Sequence, residues 1–224
     1  DKKESFTPIS ENEIDKNTLL KGGFRSLGQL NGIRYLDFNV ARFLKRAKAS
    51  GYYDNSIFVF FGDHRGGMKK LNFIKNNEDA LGIQVHHVPL FIHSPRYAQP
   101  KEITKYAKLI DIFPTATSLA KIDYDNYTLG RDLLDSTSTD TAAFVYLQNK
   151  GEKVVGLLKD GYYLEKTNSS EKTSLFSLET NNIKDIKLEK PEIAKAMDSL
   201  LSAYYHSTKY LYFKNKKKSK PNVK

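Results

Sequence analysis

Asp63 and His64 place a carboxylate beside an imidazole directly after an apolar run, Ser56-Ile57-Phe58-Val59-Phe60-Phe61, and a glycine, Gly62. Open α/β sheets bind ligands beyond the carboxyl ends of their strands, so oxygen and nitrogen donors at that point can hold a divalent cation. The loop His64-Arg65-Gly66-Gly67-Met68-Lys69-Lys70 then adds glycines and three cations, the ingredients for holding a phosphate or sulfate close to a metal. A second histidine pair, His86 and His87, precedes another apolar run, Val88-Pro89-Leu90-Phe91-Ile92. His87 is the expected third ligand and His86 the loop residue. An Asp at a strand end can instead simply cap a turn, but strand, glycine loop and second histidine pair in this order favour chemistry. The expected metal ligands are Asp63, His64 and His87, with Arg65 and His86 on the substrate side. His93, inside the second run, reads as a packed or hydrogen-bonded core residue, and His206 has no evident partner.

Several elements must position these residues. Leu30, Ile33, Val40, Phe43, Leu44 and Ala47 recur at helical spacing between Leu27 and Ala49, with Gly51 as the stop. The run at 56–61 reads as a strand buried on both faces, and the run at 88–92 as a second strand with Pro89 among its first residues. Helix, strand, long loop and strand predict a parallel or mixed α/β sheet. Asp111-Ile112-Phe113-Pro114-Thr115 predicts a helix start, with Asp111 capping free amides and Pro114 in the first turn, running to about Ala120. Short segments then follow at Ala142–Gln148, Lys153–Lys159, Tyr162–Lys166 and Ser174–Leu178. They are separated by Gly151, Asp160-Gly161 and Asn168-Ser169-Ser170, the pattern of an antiparallel meander. A last helix is predicted from Pro191 to about Tyr205.

The 224 residues suffice for one α/β body with an appended small subdomain. Cysteine is absent, so disulfides, thiol nucleophiles and thiolate metal sites are excluded, and any metal must be held by oxygen and imidazole nitrogen. No apolar stretch approaches the roughly 20 residues needed to span a bilayer, and residues 1–5 carry no signal-peptide pattern. The net charge of +10 suggests an anionic partner. Part of it is local: Lys214, Lys216, Lys217, Lys218, Lys220 and Lys224 crowd the C-terminus, where a solvated tail is favoured over membrane docking.

The order of these segments resembles the C-terminal half of a sulfatase-type domain of the alkaline phosphatase superfamily, in its lipoteichoic acid synthase and phosphoglycerol transferase branch. The resemblance is carried by Gly32-Ile33-Arg34-Tyr35-Leu36-Asp37, Gly51-Tyr52-Tyr53-Asp54-Asn55-Ser56, Gly62-Asp63-His64 and His87-Val88-Pro89-Leu90-Phe91-Ile92. Asp111-Ile112-Phe113-Pro114-Thr115, Gly130-Arg131-Asp132-Leu133-Leu134 and Leu175-Phe176-Ser177-Leu178-Glu179 extend it. It implies part of an alkaline-phosphatase-like α/β/α sandwich with a small antiparallel β subdomain and a C-terminal helix. The divisions expected are residues 1–135, 136–213 and a basic tail at 214–224.

The resemblance further implies that Asp63 and His64 bind a divalent metal, and that His87 binds a second metal or the substrate's anionic group. Manganese, magnesium, zinc or calcium would each suit oxygen and nitrogen donors. The nucleophile, a threonine in the phosphotransferases or a modified cysteine or serine in sulfatases, is expected upstream of this chain with another acidic ligand; Thr7 and Thr115 are poor candidates. The expectation is thus a fragment of a phosphoglycerol transferase at the extracytoplasmic face of the cell membrane or in the periplasm. It would act on an anionic ester, with membrane lipid engaged through a missing N-terminal segment. The alternative is a sulfatase. A basic nucleic-acid-binding module is disfavoured, because the aromatic residues lie in apolar runs rather than interleaved with Lys and Arg. A structural remnant without activity is the last possibility.

Overall fold

The computed structural model describes residues 5–64, 77–149, 151–167, 169–180 and 182–214. The chain divides into two compact units, one of residues 1–75 and 85–100, the other of residues 76–84 and 101–224.

In the first unit Asp15 opens α1 (Lys16–Lys21), its carboxylate accepting from the amides of Asn17 at 2.8 Å and Thr18 at 3.0 Å. These are donors that a helix start leaves without intrahelical partners. Ser26 does the same for α2 (Leu27–Ala49), accepting from the Gln29 amide at 3.2 Å. The helix stops as predicted: Gly51 takes φ +79°, a left-handed conformation that suits glycine, and its amide closes on the Lys48 carbonyl at 3.1 Å.

Strand β1 (Phe58–Phe61) pairs with β2 (Leu90–His93), Phe58 lying opposite His93 and Phe61 opposite Leu90. The pair is antiparallel, which removes the parallel alternative for these two runs; an apolar pattern reports burial but not strand direction. Nor is β1 covered on both faces. Phe58 is buried, packed edge-on against Phe43 of α2 with ring centroids 5.7 Å apart, whereas Phe61 and Phe91 are exposed. A strand pair and one long helix lack the layers to cover a second face. His93 is likewise exposed rather than in a core, yet it is hydrogen bonded, its Nε2 lying 2.7 Å from the Tyr53 hydroxyl, and its ring stacks on Phe58.

In the second unit β3 (Ala143–Asn149), β4 (Glu152–Lys159), β5 (Tyr162–Thr167) and β6 (Thr173–Ser177) form an antiparallel sheet in chain order. Asp160 (φ 49°) and Gly161 (φ 78°) make the β4–β5 link, and two successive positive φ values match the right-handed twist of a two-residue hairpin. One face buries Leu157, Leu164 and Leu175 against Ala194, Met197 and Leu201 of α5 (Pro191–Lys214). The period-two alternation of strands sends Val145, Val154 and Tyr163 to the other face, where Leu81 and Ile83 cover them. Leu81 follows α3 (Asn77–Ala80), and Asn77 tethers this segment to the end of the sheet by donating to the carbonyls of Ser177, at 3.0 Å, and Thr180.

On that second face the Tyr163 hydroxyl and the Glu165 carboxyl are buried beside one another. Burial first, then the nearby Asp185 carboxylate, raises the Glu165 carboxyl above its ordinary range. A carboxyl whose folded value exceeds its unfolded one costs stability once it must ionise, so the cost is absent below the unfolded value of about 4.3 and grows as pH rises through the folded value. Glu165→Gln is therefore expected to raise Tm at neutral pH and to leave it unchanged near pH 4. Thermal melts at both pH values check this, and equal shifts at the two would contradict it.

Asp111 departs from its predicted role. Its side chain makes no cap to α4 (Ile112–Ala120). The 3₁₀ turn Leu109–Asp111 turns it back instead, so that the fully buried carboxylate accepts from the amides of Lys108 at 2.8 Å and Arg131 at 3.0 Å. Arg131 Nε lies 3.5 Å from Asp111 Oδ2, and Lys108 Nζ lies 3.9 Å from Oδ1. Gly130 makes this approach possible, since a Cβ there would run into the Ile110 carbonyl. Asp140 extends the cluster, 3.0 Å from Arg131 and 3.6 Å from Lys108, and accepts from the Tyr204 hydroxyl of α5. Helix α5 itself continues nine residues past its predicted end at Tyr205, to Lys214.

Candidate metal centre

The predicted ligands lie in the first unit, at the end of the strand pair where β1 finishes and β2 begins. The Gly62 amide donates to the Pro89 carbonyl at 3.1 Å, extending the ladder one residue beyond Phe61. Pro89 therefore precedes β2 instead of opening it, and supplies an acceptor where its missing N–H does no harm. The two backbones are so close here that a Cβ on Gly62 would lie 2.9 Å from Val88 Cβ. Gly62 is thus needed to let the residues after β1 and those before β2 share one end of the sheet.

Asp63 and His64 occupy a bend immediately after this contact. Asp63 Oδ1 accepts from the His64 amide at 2.8 Å, and Oδ2 lies 3.7 Å from His64 Nε2. Both side chains are open to solvent, at 84% and 72% exposure. Two donors each about 2.1 Å from one metal, at tetrahedral angles, lie about 3.4 Å apart. The observed 3.7 Å separation therefore fits a shared cation with a small adjustment of either rotamer. The donor set, one carboxylate oxygen and one imidazole nitrogen, suits a borderline or hard divalent ion.

His86 ends the 3₁₀ turn Ile83–His86 and His87 follows it; both are exposed. Arg65 and the loop through Lys70 lie outside the described residues. Among the described residues no group of three or more carboxylates and histidines is arranged to hold a metal ion. The structure thus joins Asp63 to His64 and brings the segment carrying His87 to the same end of the strand pair, without closing a three-ligand site.

The pairing of Tyr53 with His93 was not predicted. Together with Arg96 and Tyr97, both of which donate to Asn55 Oδ1, at 3.1 Å and 2.8 Å, it fastens the turn before β1 to the chain leaving β2. The Tyr52-Tyr53-Asp54-Asn55-Ser56 stretch carried the signal, as polar groups at a turn beside a strand.

This mixed α/β fold is shared with solved hydrolases. A phosphonate monoester hydrolase from Silicibacter pomeroyi superposes with a TM-score of 0.55 over 80% of this chain and 39% of its own, at 18% sequence identity. The Sulfatase family matches residues 10–122, half of the chain, and the chain belongs to that family. Lipoteichoic acid synthase 1 of Bacillus subtilis (strain 168) is 32% identical over 159 residues, covering 66% of this chain and 25% of the relative. Lipoteichoic acid synthase 2 of the same organism is 29% identical over 178 residues, covering 75% and 24%. The chain therefore spans about a quarter of the length of these curated relatives. The superfamily is typically metal-dependent. No helix among the described residues is long and apolar enough to cross a membrane.

Proposed function

We propose that this chain is the metal-binding, C-terminal portion of a transferase that moves phosphoglycerol, or a similar phosphoalcohol, from a lipid at the extracytoplasmic face of the cell envelope. The observation that carries the proposal is the Asp63–His64 donor pair, 3.7 Å apart at the end of β1, in a family member similar to lipoteichoic acid synthases.

In this role the Asp63 carboxylate and His64 imidazole hold a divalent cation, manganese, magnesium, zinc or calcium. When bound, the cation polarises the phosphoester and stabilises the anion of the attacking oxygen. His87 reaches the same cation, a second one, or the phosphoryl oxygens, and Arg65 and His86 offer positive charge or N–H donors to the anionic ester. The covalent step falls to a nucleophile supplied by other residues of a longer protein. The family match also supports a second possibility, sulfate ester hydrolysis, which uses the same ligands with a different nucleophile.

Two or three ligands make a weak site. The isolated chain is expected to bind Mn²⁺ only in the high-micromolar range or above and to show little turnover, with Asp63→Asn abolishing the binding. Calorimetric titration checks this. Submicromolar binding indifferent to Asp63→Asn would overturn the assignment, whereas robust activity of the isolated chain that Asp63→Asn removes would keep Asp63 as a ligand and overturn the expectation that the nucleophile lies elsewhere. In the longer protein, a phosphorylated threonine trapped with a glycerophospholipid donor would support the transferase, and turnover of an aryl sulfate would support the sulfatase.

A further inference from the structure

Residues 77–83 form a connection built like part of the core. Asn77, the first residue of α3, is buried, and its side-chain amide donates to the carbonyls of Ser177, at 3.0 Å, and Thr180. The single helical turn that follows is closed by the Leu81 amide on the Asn77 carbonyl at 2.9 Å, and by Gly82 in a left-handed conformation, φ +76°. That reversal lets Leu81 and Ile83, on either side of Gly82, both bury in the cluster with Val145 and Leu147 of β3, Val154 of β4 and Tyr163 of β5. The segment is thus fastened near both edge strands of the sheet, at β6 through Asn77 and at β3 through Leu81 and Ile83. Connections ordinarily run over the surface, because burying one orders its backbone and demands a partner for each of its polar groups.

The consequence falls on the histidine pair. Ile83 opens the 3₁₀ turn Ile83–His86, whose hydrogen bonds join residues three apart, so His86 belongs to the same turn that Ile83 anchors. His87 comes next, and the Pro89 carbonyl is then held by the Gly62 amide at 3.1 Å, with Val88 packed against Gly62. Only residues 84–87 separate Ile83 from Val88, and half of them are the histidines. A stretch this short, ordered by a 3₁₀ turn, cannot reorient His86 and His87 freely while Ile83 stays in place. Covering the apolar sheet face requires Leu81 and Ile83 alone. The Asn77 amide adds a fixed origin for the turn, from which the register of residues 81–86 is set.

We infer that Asn77, acting through Leu81 and Ile83, is a positioning residue for His86 and His87, and that the antiparallel sheet sets the geometry of this pair through it. What the histidines do in the reaction rests on the proposed function; how they are held does not.

The chain has five histidines, so selective imidazole labelling of the full chain gives one NMR signal for each, assigned by single substitutions. Asn77→Ala is expected to shift or broaden the signals of His86 and His87 and to leave that of His206, on α5, in place. Gly82→Ala should do the same by a second route, since its Cβ meets no atom within 4 Å but strains the left-handed turn. Leu157→Val, on the opposite face of the sheet beneath α5, should lower Tm at least as much and leave His86 and His87 unmoved. Circular dichroism confirms the fold of each variant. In the longer protein Asn77→Ala should repeat in weaker form whichever pattern His87→Ala gives, a rise in KM or a fall in kcat, lowering kcat/KM roughly tenfold, on the scale that a small misplacement of a reacting group produces. Signals of His86 and His87 indifferent to both Asn77→Ala and Gly82→Ala would overturn the inference, as would signals that Leu157→Val moves equally, which would make the effect a general loosening of the sheet. If His87→Ala and Asp63→Asn both leave turnover intact, the proposed reaction falls, whereas histidine signals that still follow Asn77 would uphold the positioning.

Discussion

Arg131→Ala is expected to destabilise the second unit by about 3–5 kcal/mol, because it leaves a buried carboxylate without its principal counter-charge. Asp111 is fully buried and Arg131 nearly so. The guanidinium sits between Asp111 and Asp140, and also donates to the backbone carbonyls of Tyr106 and Asp140. Lys108 cannot replace it. At 3.9 Å from Asp111 it is a weaker partner, and burial above all already lowers its own pKa. Asp140, for its part, is pushed up by burial, but the Tyr204 hydroxyl, the Ala142 amide and the two cations outweigh this and hold its carboxyl below the usual range. Both carboxylates therefore need the guanidinium. A loss of this size is a large fraction of the 5–15 kcal/mol that typically holds a domain together. Urea unfolding followed by circular dichroism would measure it. Arg131→Lys should recover only part, since an ammonium cannot reproduce the planar fork that meets two acids at once. A change below about 1 kcal/mol for Arg131→Ala would place the pair among surface-like ion pairs instead.

That cluster also marks the limit of what the sequence discloses. Elements defined by local signals were legible: α2 with its Gly51 stop, the Asp160-Gly161 hairpin, the four strands of the meander, and the start of α5 at Pro191. Each is announced within a few residues by periodicity, a cap or a turn. Where the outcome depends on residues far away in the chain, local signals mislead. An Asp three residues before a Pro looks like a helix cap, yet Asp111 bonds to the amide of Arg131, twenty residues on. Leu81 and Ile83 read as loop residues because nothing nearby predicts the sheet face they cover. The end of α5 at Lys214 is hidden from the sequence for a related reason: beyond Tyr204 the helix no longer packs on the sheet, so its apolar stripe ceases to be a guide to its length. At the candidate site the order of Gly62, Asp63 and His64 after a strand was readable, but the antiparallel pairing that brings residues 87–89 to the same end was not.

The antiparallel pairing matters most for the second large effect, that of Asp63→Asn in the longer protein. This substitution is expected to lower catalytic turnover on the order of a thousandfold, equivalent to about 4 kcal/mol of lost transition-state stabilisation from a metal held by one fewer charged ligand. Asparagine keeps an Oδ1 acceptor for the His64 amide, which Asp63 Oδ1 now engages at 2.8 Å. The bend after Gly62 should therefore survive and only the charge be lost. Unchanged circular dichroism with reduced metal content would confirm that the effect is chemical. His87 supplies the discriminating comparison, because the register of β1 and β2 directs it toward the same end of the sheet without fixing its role. If His87 binds the metal, His87→Ala should lower metal content and kcat together, as Asp63→Asn does. If it binds the substrate's anionic group, metal content should stay constant while KM rises. An Asp63→Asn enzyme that retains more than about a tenth of its activity, well under the several kcal/mol a metal contributes, would remove Asp63 from the catalytic centre, and leave the bend after β1 as a turn whose aspartate serves only to cap it.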